Sequence, residues 1–128
     1  MIDPKHLPLV LRLNALSSAI FGLLLAAIPE PIAAMIGFDP LSLRVIGIAL
    51  LPFATFVLHV AREPRPALVR VVSALDFAWV AGSVGLALWG DLTGFGIAIV
   101  LAVAAAVDVF GMLQLLGARA SRRILSAP

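Results

Sequence analysis

Four long apolar stretches, joined by connections of only a few residues, dominate this 128-residue sequence and dictate its solvent. They run over about 7–28, 41–61, 67–89 and 93–117, each close to the roughly 20 residues that an α-helix needs to cross about 30 Å of hydrocarbon. Hydrophobic residues make up 62% of the chain and charged ones 12%, against about 45–50% and about 25% in an ordinary soluble domain. A soluble globule of this size would leave large apolar patches in water, whereas lipid accepts a helix that is apolar on nearly every side. The expected fold is an all-α membrane protein, a four-transmembrane-helix bundle forming a single domain over residues 1–128.

The connections are marked by proline and charge. Ile28-Pro29-Glu30-Pro31 ends the first run, because the residue before a proline is pushed out of the helical region. A short amphipathic turn, Ile32 to Phe38, follows, and Asp39-Pro40 reads as an N-cap with proline at the first helical position. The second run contains Pro52, a kink candidate. Arg62-Glu63-Pro64-Arg65-Pro66 is the most polar loop and divides the chain in half, Gly90-Asp91-Leu92-Thr93-Gly94 closes a tight hairpin, and residues 118–128 read as a short basic tail. The N-terminal segment lacks an A-x-A-like processing site, so it is expected to remain as the first span.

Basic residues set the expected orientation, since Lys and Arg are retained in cytoplasmic loops. Lys5, Arg12, Arg62, Arg65, Arg70, Arg119, Arg122 and Arg123 fall on one side, while the other carries Glu30, Asp39 and Asp91 with Arg44 alone. Arg44 is read as snorkelling to the headgroups. Both termini are therefore expected in the cytoplasm, in a bacterial inner membrane, with Trp89 at the opposite interface. The partners expected are membrane lipids and either further copies of the chain or a partner membrane subunit.

The two halves also resemble each other. At an offset of 57 to 58 residues, Pro8, Arg12 and Phe21 align with Pro66, Arg70 and Trp79, Gly37-Phe38 with Gly94-Phe95, Phe53 with Phe110, and Ala61-Arg62 with Ala118-Arg119. Each unit is one helical hairpin. Two spans restore the starting orientation, so these are parallel repeats rather than inverted ones.

Inside a membrane the ionisable residues carry the information, because a charge at mid-helix costs on the order of 3 kcal/mol even on the lenient insertion scale. Asp76 and Asp108 both fall well inside their spans and are expected to share one layer. Ser73, Asp76, Val80 and Ser83 form one small or polar stripe, and Ala104, Ala105, Asp108 and Gly111 another, and such stripes face neighbouring helices. Arg12, Asn14, Ser17, Ser18 and Gly22 on the first span, with Thr55 and His59 on the second, complete an expected internal polar cluster. The candidate ligand- or proton-binding set is Asp76, Asp108, Asn14, Arg12, Ser73 and His59. Trp79, Phe21, Phe53, Phe77 and Phe110 are the candidate lining of an apolar pocket.

Much chemistry is excluded. Without cysteine there is no disulfide, Cys-ligated zinc or thiol nucleophile, and phosphate-loop, H-E-x-x-H and G-x-S-x-G patterns are lacking. No metal site or cofactor is required. Haem held between His59 and His6 is the one cofactor arrangement that the histidines suggest. The arginines lack the aromatic platform of a single-strand binder, so nucleic acid is not an expected partner.

Three function classes fit these features: a small transporter or ligand, cation or proton site built on Asp76 and Asp108; a non-catalytic accessory subunit in which the aspartates are packing glue; and a binder or enzyme for a lipophilic molecule such as a quinone, lipid or porphyrin. Enzymatic activity is the less expected role.

Overall fold

The structure, a computed structural model, describes residues 4–126. A short turn at Pro4–His6 leads into α1 (Leu7–Ala27), followed by the brief α2 (Pro29–Ile36), α3 (Pro40–Arg62), α4 (Pro66–Trp89) and α5 (Gly94–Ser126). Four of these, α1, α3, α4 and α5, are long and apolar enough to cross a membrane. Their outer faces confirm the solvent. On α1 alone, Leu9, Leu13, Leu16, Ile20, Leu23 and Leu24 are between 44% and 59% exposed, an arrangement that lipid stabilises and water does not. The protein is an all-α four-helix membrane protein.

Local chemistry explains the ends of the helices. α1 stops at Ala27 because Pro29 excludes Ile28 from the helical region, and Ile28 sits at φ −133°. Pro29 then opens α2, so the segment expected as an amphipathic turn is two turns of regular helix that start three residues earlier. Gly37, at φ 77°, ends it: its N–H and that of Phe38 both donate to the Ala33 carbonyl, at 2.9 and 3.1 Å. Asp39 caps α3, its Oδ2 accepting from the Ser42 N–H at 2.9 Å and the Ser42 hydroxyl at 2.8 Å. Those donors hold the Asp39 carboxyl below its ordinary pKa of 3.8, the backbone N–H being the main cause.

The expected basic tail after Gly117 is corrected: α5 continues to Ser126, and Ala118 is fully buried. Nothing between Ala118 and Ser126 breaks a helix. A Cβ at Gly117 would lie 2.9 Å from Leu7 Cδ1, so the glycine marks where α1 presses on α5 and not where the helix ends.

The helices pair as the repeat suggests. α1 packs mainly on α3 and α4 mainly on α5, with α1 also meeting α5. The first hairpin is tight because Gly22 and Gly47 bring the two backbones into contact: a Cβ on Gly47 would lie 2.7 Å from both the Ala26 nitrogen and the Gly22 oxygen. Leu7, Leu11, Val57, Val60, Val69, Val72 and Ala118 seal the end of the bundle that carries the Arg62–Arg65 loop, called here the basic end. Between this seal and the opposite, acidic end the hairpins leave a cavity between them.

At the acidic end the hairpins are joined by Thr93. Its N–H donates to the Ile36 carbonyl at 3.0 Å, its hydroxyl donates to the Met35 carbonyl at 2.9 Å, and its Oγ1 accepts from the Gly96 N–H at 2.9 Å. One residue, through its backbone N–H and its hydroxyl, thus caps α5 and ties it to the orphan carbonyls at the end of α2. Arg44 has a comparable structural task, its Nε donating to the Ala26 carbonyl at 3.1 Å and Nη2 to Glu30 Oε1 at 3.3 Å.

Candidate functional site

Between the two hairpins lies a cavity of about 550 Å³, within the size range of small-molecule sites. Asn14, Ser17, Ser18 and Phe21 of α1 line it, with Ile46, Ala49, Leu50 and Phe53 of α3, Leu75, Asp76 and Trp79 of α4, and Ala102, Val103, Ala106, Val107 and Phe110 of α5. The lining is the repeat made visible. Ser17, Ser18 and Phe21 correspond to Leu75, Asp76 and Trp79 at an offset of 58, and Ile46, Ala49, Leu50 and Phe53 correspond to Val103, Ala106, Val107 and Phe110 at an offset of 57. Equivalent faces of two similar hairpins therefore enclose the space.

One end of the cavity is polar. Asp76, 3% exposed, receives two carboxamide bonds on the same oxygen: Asn14 Nδ2 to Oδ2 at 2.9 Å and Gln114 Nε2 to Oδ2 at 2.7 Å. Asn14 gives its second bond to Gln114 Oε1 at 2.7 Å, which closes a triangle across α1, α4 and α5. Ser18 adds a longer contact to Asn14 Oδ1 at 3.4 Å. Beneath this triangle lies the sealed apolar core, so the site is shut towards the basic end.

Among the lining residues Phe21, Ala49, Leu75, Ala102 and Ala106 are exposed. Ala49 is the tenth residue of α3 and Ala106 the thirteenth of α5, which at 1.5 Å per residue puts them about 14 and about 18 Å from the acidic ends of their helices. That depth falls within the hydrocarbon of a bilayer about 30 Å thick.

Of the candidate residues, Asn14 and Asp76 meet at the polar end, and Phe21, Phe53, Trp79 and Phe110 all line the cavity. Phe77 packs instead against Gly111 at the α4–α5 contact. Ser73 is buried, but its hydroxyl donates to the Gly111 carbonyl at 3.1 Å and not to Asp76. Asp108 is exposed on the outer face of α5, and Arg12 and His59 are exposed as well, none of them lining the cavity. His6 is likewise exposed. Among the described residues no group of three or more His, Asp or Glu side chains is placed to hold a metal.

Gln114, fully buried, is the site residue that sequence reading passed over. Its signal was present, a lone carboxamide in an apolar run, and polar side chains in such runs mark contacts between helices. Trp79 Nε1 is buried without a partner, so the indole is held by packing alone.

No protein-family model matches this chain, and comparison with the curated proteins and with the solved structures finds no significant match either.

Proposed function

We propose that this four-span protein is a membrane-embedded binding protein for a small lipophilic molecule, which enters the space between the hairpins from the hydrocarbon and sets a polar group against Asp76. The observation that carries this reading is the cavity itself: about 550 Å³, walled by Phe21, Phe53, Trp79, Phe110 and aliphatic side chains, with one polar end. Apolar walls supply affinity by area, and one buried carboxyl supplies orientation. Asp76 is the only ionisable residue among the described lining. The distribution of arginine supports an inner-membrane setting with both termini in the cytoplasm.

The test uses Trp79 as a reporter. With Trp89→Phe the chain keeps one tryptophan, and titration of the detergent-solubilised protein with tetraphenylsilane, a neutral aromatic lipophile, is expected to give a saturable change in emission. Val103→Phe, which fills the cavity, is expected to abolish it. A linear response, equal in the two proteins, would mean partitioning into detergent and would sink the reading.

A second reading, an accessory subunit, draws on one observation. Asp108 is exposed about halfway along α5, where its carboxyl faces lipid unless another helix covers it. Native mass spectrometry separates the two: a stable oligomer that Asp108→Leu dissolves favours assembly through α5, and a monomer insensitive to the change removes that support.

A further inference from the structure

The hydrogen bonding at the polar end restricts what the occupant can be, given the cavity reading above. The side-chain donors of the lining residues Asn14, Ser17 and Ser18 are already engaged. Asn14 spends both amide hydrogens on Asp76 and Gln114, Gln114 donates to Asp76, Ser17 donates to the Leu13 carbonyl at 2.7 Å, and Ser18 donates to Asn14. Trp79 Nε1–H is buried, with no partner among the described residues. What these residues offer an occupant is acceptors: Asp76 Oδ1, which takes no hydrogen bond from any described residue, and the lone pairs of the two serine hydroxyls.

No arginine, lysine or histidine stands among the described lining residues, and Asp76 forms no ion pair with any described residue. A carboxyl beneath acceptor oxygens and four aromatic rings repels an anion, gives nothing to a carbonyl, and attracts a positive charge through both the carboxyl and the ring faces. We infer that the cavity recognises lipophilic organic cations, amphiphilic amines or quaternary oniums, with the charge at Asp76 and the apolar body between the hairpins. Gln114 and Asn14 act as positioning residues, fixing Oδ2 so that Oδ1 is presented to the cavity.

Three near-isosteric probes test the sign of the charge directly: tetraphenylphosphonium, tetraphenylsilane and tetraphenylborate, titrated into the Trp89→Phe protein in detergent with Val103→Phe subtracted as the blocked control. The cation is expected to bind about tenfold or more tighter than the silane, and the borate more weakly than either. Asp76→Asn is expected to shrink the gap between phosphonium and silane to within about twofold, since a neutral amide gives up the charge contribution. Because the comparison of the three probes does not depend on Asp76→Asn, instability of that variant would not spare the inference. Equal binding of phosphonium and silane, or preference for borate, overturns the assignment of a cation while leaving the cavity reading intact. Failure of all three to saturate overturns both.

Discussion

The two hairpins share a frame and differ in chemistry. α1 with α3 and α4 with α5 pair in the same way and present equivalent positions to the cavity, and the apolar end repeats too, Leu11 matching Val69 and Ala61 matching Ala118, all buried. The departures cluster around the cavity and its polar end. Ser18 in the first hairpin stands where the second has Asp76, Phe21 where it has Trp79, Asn14 where it has Val72, and Val57 where it has Gln114. Each side of the triangle is thus supplied by one half at a position that the other half fills with something simpler. Similar apolar faces can close on each other without specificity, and the polar triangle exists only when the two halves differ.

The comparison is broken most severely at the helix crossing. Gly47 corresponds to Ala104, yet only Gly47 sits where a Cβ meets two backbone atoms at 2.7 Å. Gly47→Ala is expected to cost about 3 kcal/mol, and the reverse change, Ala104→Gly, about 1 kcal/mol, both read from unfolding in mixed micelles. Making Asn14 match its counterpart comes next. Asn14→Val removes the donor to both Asp76 and Gln114, and the lost stability is expected to be about 2 kcal/mol, whereas Val57→Leu, at a position equivalent to Gln114 but outside the triangle, is expected to cost about 1 kcal/mol, from one extra methylene in a filled core.

Trp79→Phe, which copies Phe21, discards an N–H that has no partner. Its effect on stability is expected within about 1 kcal/mol of zero, because lost packing is offset by relief of an unsatisfied donor. The smallest contrast lies at the caps: α3 begins on Asp39 and α5 on Thr93, and only the first titrates. The carboxyl of Asp39 is lowered by folding, so its contribution is complete above pH 3.8 and is lost as pH falls through the depressed value. A thermal midpoint that declines below pH 3.8 in the parent and less steeply in Asp39→Asn is the expected result.

The fold was legible because its signals are long and redundant. Runs of about 20 apolar residues survive any local ambiguity, and the spans found begin and end within a residue of those expected except at α5. That exception is instructive: Gly117 and the arginines after it look like a helix end followed by a tail, but a glycine also serves where another side chain, here Leu7, must come close. The site was legible in type and only partly in arrangement. Asp76 and Asp108 look alike in sequence, each in a stripe of small residues, and helical spacing does not say which stripe faces inward. Residue types placed the aromatic rings in a pocket, but which carboxyl joins them depends on the rotation of α5 about its axis, set by Phe77 against Gly111 and by Ser73 against the Gly111 carbonyl.

The most direct test of an occupant lodged between the hairpins is photolabelling with a small lipophilic diazirine in lipid nanodiscs, with adducts located by mass spectrometry. Adducts concentrated on Phe21, Phe53, Trp79 and Phe110, and suppressed by Val103→Phe, are the predicted result. Labelling confined to outward residues such as Leu23, Leu88 and Val109, unchanged by that substitution, would contradict it.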